Sequence, residues 1–481
     1  MAKNFVRSVL YGGNEGVIRI KKTCFGGMRN DRGEYYSNVE LDSLPYLRTH
    51  KPLVALPCAL PSDVRAIRAY KDHLLLLNME SGYFGIYHLK DGEVTKTGTT
   101  VSTFAPDSDG NDYCSRLLMI DEQSAEIDSG CAHTKLLFFP SKQTACLSVT
   151  GAPTAFSALP ASVPSFRHAA ISSGRLYGSV GQQVYASGAG GCFDWSYDEQ
   201  GQEPLPEHAW KGGSITDTDQ NTAVTALIPY KNTVLVFRER AMQAITGNEN
   251  PFVLKDLYKV GTKYGASVKE IGGILYFLDE KGAVCYNGST IRCLPALPEG
   301  TVLNGAAGVL DGKYCFYGQN GARHYLYTYD PESDGYARCR CYKKVRELAN
   351  CADKLYALMG EQGEKDCLYT IVEDRSSCYM EVELPLLADS LQRLSMKELT
   401  VRLYMKRGSS VRLSMKLSDE QGAVDQQFFD IFQSAADGEV VLRQRRRMKG
   451  AYGATLVLEA TGDVTLMGYE VCFTPCRRGG G

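Results

Sequence analysis

One short pattern recurs at a fixed step between Leu227 and Ile371, and it restricts the fold more than any other feature of the chain. A turn signal is followed by an apolar run, a second turn and a second apolar run. The first runs are Lys231-Asn232-Thr233-Val234-Leu235-Val236-Phe237, Gly272-Gly273-Ile274-Leu275-Tyr276-Phe277-Leu278, Asp311-Gly312-Lys313-Tyr314-Cys315-Phe316-Tyr317 and Asp353-Lys354-Leu355-Tyr356-Ala357-Leu358. Their centres, Leu235, Leu275, Cys315 and Leu355, are 40, 40 and 40 residues apart. Short β-type runs without helical periodicity, repeated at this length, read as blades of a propeller. A unit of this kind cannot bury both of its faces alone and must stack on its neighbours.

The pattern extends backwards in weaker form through His73–Leu77, Lys135–Phe139 and Arg175–Gly178. Leu136 to Leu176 is again 40 residues, whereas Leu75 to Leu136 is 61 and Leu176 to Leu235 is 59. The longer steps imply rim insertions of about 20 residues, supplied by Pro106–Asp112 and Glu199–Gly213. Counting Leu75, Leu136, Leu176, Leu235, Leu275, Cys315 and Leu355 gives seven blades. Residues 58–376 are therefore expected to form the propeller. Residues 1–57 do not fit the repeat; Gly26-Gly27 with Pro45 and Pro52 describe an extended, turn-rich arm. That arm is either a strand that closes the ring or a contact for a partner. After Ser376 the period becomes two, as in Leu399-Thr400-Val401-Arg402-Leu403-Tyr404-Met405 and Val411-Arg412-Leu413-Ser414-Met415-Lys416-Leu417. This alternation predicts an antiparallel β-sandwich over 377–475, with 476–481 as a loose tail. The expected fold class is all-β: a seven-bladed β-propeller with an N-terminal extended arm and a C-terminal antiparallel β-sandwich.

Composition narrows the function. The chain of 481 residues has 29 Tyr and 48 Gly, a β-leaning and turn-rich usage. Its net charge of −2 gives no global reason for nucleic-acid binding. No run approaches the ~20 apolar residues of a membrane span, and the first residues make a poor secretory signal. The 16 cysteines fall mostly within predicted strands, and are read as reduced core thiols made in a cytoplasm.

The motif search returns no catalytic set. Sialidase boxes, Trp-Asp blade endings, a Gly-x-Ser-x-Gly elbow, His-Glu-x-x-His and Cys-x-x-Cys are all missing, and the only tryptophans are Trp195 and Trp210. Cys339-x-Cys341 and Cys472-x-x-x-Cys476 lack a matching second pair for zinc. Asp107–Asp112 lacks the Gly and Glu of a calcium loop, so its carboxylates read as solvated. No metal or cofactor is expected. The one strong charge run, Arg443-Gln444-Arg445-Arg446-Arg447-Met448-Lys449, reads as a solvated sandwich edge or as a contact for an acidic partner.

Several stretches carry a resemblance. Phe25-Gly26-Gly27-Met28-Arg29-Asn30-Asp31-Arg32 followed by Pro45-Tyr46-Leu47 resembles the start of structural propeller proteins of tailed phages and prophages. Arg175-Leu176-Tyr177-Gly178 with Val184-Tyr185-Ala186-Ser187 is similar to that family's "RLWG…VYAS" segment, with Tyr177 in place of the usual Trp. Val236-Phe237-Arg238-Glu239 with Ile245-Thr246-Gly247, and Ile274–Leu278 with Gly282–Gly288, resemble its next two paired motifs. The resemblance covers roughly 20–375 and includes tail-nozzle and DNA-stabilisation proteins of short-tailed phages. It implies a non-enzymatic virion component, made in the host cytoplasm and built into a ring with tail or connector proteins. Contact with exiting DNA would be passive. Candidate partner contacts are Phe25, Arg29, Asp31 and Arg32 in the arm and Arg445, Arg446 and Arg447 in the sandwich. A receptor- or glycan-binding tail-tip module is the second expectation, and a propeller glycoside hydrolase the third.

Overall fold

The computed structural model describes most of the chain between residues 8 and 476. Outside the described residues are 1–7, 13–16, 26, 29–34, 41–44, 62–63, 71–72, 81–82, 91–92, 100–115, 121–134, 140–144, 151, 159–165, 190–211, 216–221, 248, 250–251, 352, 361–366, 373, 388–392, 446–449 and 477–481. The Pro106–Asp112 insertion lies there, as does all but the last two residues of Glu199–Gly213.

The described residues are almost entirely strand, and one 3-10 turn at Gly265–Ser267 is their only helical element. Seven antiparallel sheets have four strands each. In chain order the first strands of these sheets are Val64–Tyr70, Arg116–Ile120, His168–Ser172, Val224–Tyr230, Lys269–Ile271, Thr301–Leu310 and Val345–Cys351. The recurrent turn signal is the hairpin between first and second strands. In sheet six, Asp311 and Gly312 both have positive φ (48° and 72°), and Leu310 pairs with Lys313 across them. That is the geometry a two-residue hairpin requires to match strand twist. The apolar runs seen in the sequence are second strands. Their centres Leu235, Leu275, Cys315 and Leu355 are 1%, 0%, 0% and 3% exposed.

Neighbouring sheets are joined by apolar and polar contacts. Phe237 of sheet four meets Phe277 of sheet five edge-on at 5.2 Å, and Tyr276 of sheet five stacks on Tyr314 of sheet six at 5.5 Å. Aromatic pairs of this geometry add to area burial. Asn304 Nδ2 of sheet six donates to the Val345 carbonyl of sheet seven at 2.7 Å. Glu347 of sheet seven accepts from the Ile67 N–H of sheet one at 2.6 Å. The outer strand of sheet seven comes from far away in sequence: Leu53–Ala55 pairs with Cys367–Ile371.

Two larger sheets complete the chain. The five-stranded one contains Tyr379–Leu387, Gly453–Thr461, Ser410–Ser418 and Val424–Gln433, and the seven-stranded one contains Leu394–Met405, Val464–Pro475 and Gly438–Gln444. Alternate residues point inward: Met380, Val382, Leu384 and Leu386 from one sheet meet Val401, Leu403, Met405, Val464 and Leu466 from the other in one core. Each such side chain contributes about 1.5–3 kcal/mol through burial. The described residues between 8 and 49, part of the stretch 1–57 that the sequence suggests as an extended arm, contribute strands to these sheets. Ser8–Gly12, Val17–Lys22, Val39–Glu40 and Leu47–Thr49 join the seven-stranded sheet, and Tyr35–Ser37 joins the five-stranded one. Among the described residues, no helix is long and apolar enough to cross a membrane.

Candidate functional site

The described residues between Phe25 and Ala55 join the two larger sheets to sheets six and seven, and the candidate site lies where they cross sheet six. The outer strand of that sheet, Gly335–Cys341, would otherwise present a row of open backbone groups. The segment covers it. Met28 and Tyr336 exchange backbone hydrogen bonds at 2.6 and 2.9 Å, the Asn38 N–H donates to the Arg338 carbonyl at 2.7 Å, and the Arg340 N–H donates to Asn38 Oδ1 at 2.6 Å. The approach is close because both chains have glycine at the crossing. A Cβ on Gly27 would lie 2.5 Å from the Gly335 backbone carbon, and one on Gly335 would lie 2.5 Å from that of Gly27. Further along, Arg48 grips Asp463 with two hydrogen bonds of 2.9 and 2.7 Å. Glu40 and Arg375 form a buried ion pair at 2.6 Å, and Arg375 Nε donates to the Thr49 carbonyl at 3.0 Å.

Between this segment and sheet six is a cavity of about 570 Å³, with Tyr35, Tyr325, Tyr336, Arg323, Arg338 and Met28 in its wall. Arg338 is 4% exposed. Its guanidinium lies 4.0 Å from the centre of the Tyr35 ring and 4.6 Å from that of Tyr325. Its Nε donates to the Tyr36 carbonyl at 2.9 Å, whereas Nη2 has no hydrogen-bond partner among the described residues. Burial pushes the Tyr35 phenol up to about 12 against the opposing pull of the Arg338 charge. The same opposition acts on the Tyr327 phenol, which burial raises against the pull of the Arg338 charge. The chemistry gathered here is that of recognition: aromatic faces and guanidinium donors. Among the described residues no group of His, Cys, Asp and Glu is placed to hold a metal ion.

The sequence candidates fall differently. Phe25 is fully buried, its ring 6.4 Å from that of Tyr469 with the Lys22 ammonium 5.2 Å away. Its apolar surface is consumed by the chain's own core, so it is an internal anchor and not a surface contact. Arg445 stands in solvent, 74% exposed, with Glu398 at 3.2 Å. An ion pair that open contributes little to stability. Arg29, Asp31, Arg32, Arg446 and Arg447 lie outside the described residues. Two arginines from the recurrent motifs, Arg175 and Arg238, are buried. Arg175 Nη1 donates to the Ser187 carbonyl at 2.6 Å, and Ser187 Oγ accepts from the Leu176 N–H at 2.9 Å. Arg238 Nε donates to Gln243 at 2.9 Å and its Nη2 reaches the Gln182 carbonyl of the preceding sheet at 3.1 Å. The available signal was an arginine set directly beside an apolar strand run.

No family model matches the chain, and no curated protein matches it. Among solved structures it is similar to the AfRom2 CNH domain, at 8% identity and a TM-score of 0.40, over 67% of this chain and 99% of that one. Raptor from Chaetomium thermophilum is similar at 12% identity and a TM-score of 0.44, over 67% of this chain and 29% of that one. The WD40 domain of Toxoplasma gondii coronin is similar at 8% identity and a TM-score of 0.36, over 73% of this chain and 89% of that one. Likeness at this level carries no functional argument, and the propeller-like character of this chain rests on its own repeated sheets.

Proposed function

We propose that this chain is a non-enzymatic structural component of a phage or prophage virion, a tail-nozzle or head–tail assembly protein that forms part of a ring. In this reading the seven four-stranded sheets are the blades of a closed propeller, and the two larger sheets are a β-sandwich held against it. The observation that carries the proposal is the path of residues 25–55. One segment contributes strands to the larger sheets, covers the edge of sheet six and supplies the last strand of sheet seven. The propeller and sandwich are thereby tied at several points, which suits a part that must keep its shape in an assembly. The near-neutral net charge of −2 suits a wall past which DNA slides without binding. Contacts with tail or connector proteins and with further copies would use surfaces not spent on blade packing, including the edge strands Val424–Gln433 and Gly438–Gln444. An early stop codon in the gene tests the proposal. Particles made without the chain should lack DNA or infectivity, and complete infectious particles would overturn it.

A second reading, a glycan-binding module of a tail tip, is favoured by the aromatic and arginine-lined cavity beside sheet six.

A further inference from the structure

The cavity walled by Met28, Tyr35 and sheet six holds a buried cation, Arg338. Arg338 is 4% exposed and has no carboxylate partner among the described residues. Burying an ion without a counter-ion is unfavourable, and such groups are normally paired. The two tyrosine rings beside Arg338 offset part of that penalty through their quadrupoles. They do not neutralise the charge. A second arginine, Arg323, stands exposed at the same wall, where it feels the Tyr325 and Tyr35 phenols and, more weakly, Glu381 of the five-stranded sheet. Among the described residues, no acidic side chain lines the cavity. The contrast within the molecule is clear: another cavity of about 570 Å³ is lined by Asp419, Glu420 and Asp425 against a single arginine, Arg393.

We propose that the cavity beside sheet six binds an acidic sugar, with the ring against the tyrosine faces and the carboxylate toward Arg323 and Arg338. A guanidinium matches a carboxylate with paired, charge-assisted donors. Tyrosine faces offer flat apolar surface to sugar C–H groups while their hydroxyls remain polar. A volume of this size falls within the range of small-ligand sites. This site rests on the glycan-binding reading of the cavity and stands or falls separately from the role in a ring.

Titration calorimetry of the full chain with glucuronate, glucose and inorganic phosphate tests it. Glucuronate should bind saturably, and glucose and phosphate should each bind at least about tenfold more weakly, because each lacks one half of the recognised chemistry. Arg323→Ala removes an exposed side chain, so it should weaken glucuronate about tenfold and leave the unfolding temperature unchanged. Arg338→Lys keeps the charge but loses the planar fork, and should also weaken binding. Glucose binding equal to glucuronate would overturn the proposal. So would phosphate binding equal to glucuronate, undiminished affinity in Arg323→Ala, or no binding of glucuronate at all.

Discussion

Replacing Glu40 by alanine isolates the tie between the strand Val39–Glu40 and Arg375, which lies between sheet seven and the five-stranded sheet. The Glu40 carboxylate lies 2.6 Å from Arg375 Nη2, and the two side chains are 8% and 7% exposed. Arg375 also donates through Nε to the Thr49 carbonyl, so the guanidinium stays in place when its counter-ion is removed. Leaving a buried charge unpaired costs about 3–5 kcal/mol. In a chain with several sheets the loss should appear as local opening before global unfolding. At about 1.4 kcal/mol per tenfold, amide protection in Leu47–Thr49 and Leu53–Ala55 should fall roughly a hundredfold to a few thousandfold. Hydrogen exchange read by mass spectrometry measures this directly. The paired variant Glu40→Leu with Arg375→Met removes both charges and should recover most of the protection, because a buried ion pair is often matched by apolar side chains of similar size. Wild-type protection in Glu40→Ala, or a double variant as damaged as the single one, would refute the reasoning.

Two further outcomes follow from the same packing. Gly27→Ala should cost about 1–3 kcal/mol and lower the unfolding midpoint, since its Cβ would meet the Gly335 backbone and no rotamer change can relieve that. Stability should also fall as pH rises from about 9 towards 12, because burial pushes the Cys315 and Cys339 thiols from 9.0 up to about 12 and the unfolded chain loses those protons first. Thermal melts across that range check the sign, and a midpoint that rises with alkalinity would contradict it.

The repeat was legible because second and third strands are apolar and bounded by turn residues, as in Ile274–Leu278 and Ala283–Tyr286. Fourth strands carry no such signal. Val253–Tyr258 is mostly solvent-facing and Ile291–Cys293 has three residues, so neither pattern stands out from a loop. The period-two runs after Ser376 correspond to strands of the two larger sheets, for example Leu394–Met405 and Ser410–Ser418. The route of the described residues between 8 and 49 was not legible, because pairings such as Val17–Lys22 with Val464–Pro475 join parts of the sequence more than 400 residues apart. Arg338 was hidden for a related reason. Its side chain is 4% exposed, and its Nε donates to the carbonyl of Tyr36, a residue remote in sequence.

The central claim, that this chain is built into a particle, is tested most directly by counting it there. Particles purified to constant infectivity should contain the full-length chain at a fixed whole-number copy number, measured by quantitative mass spectrometry against a known capsid or portal protein. A chain that is absent from such particles, or whose amount varies freely between equally infectious fractions, would contradict the account.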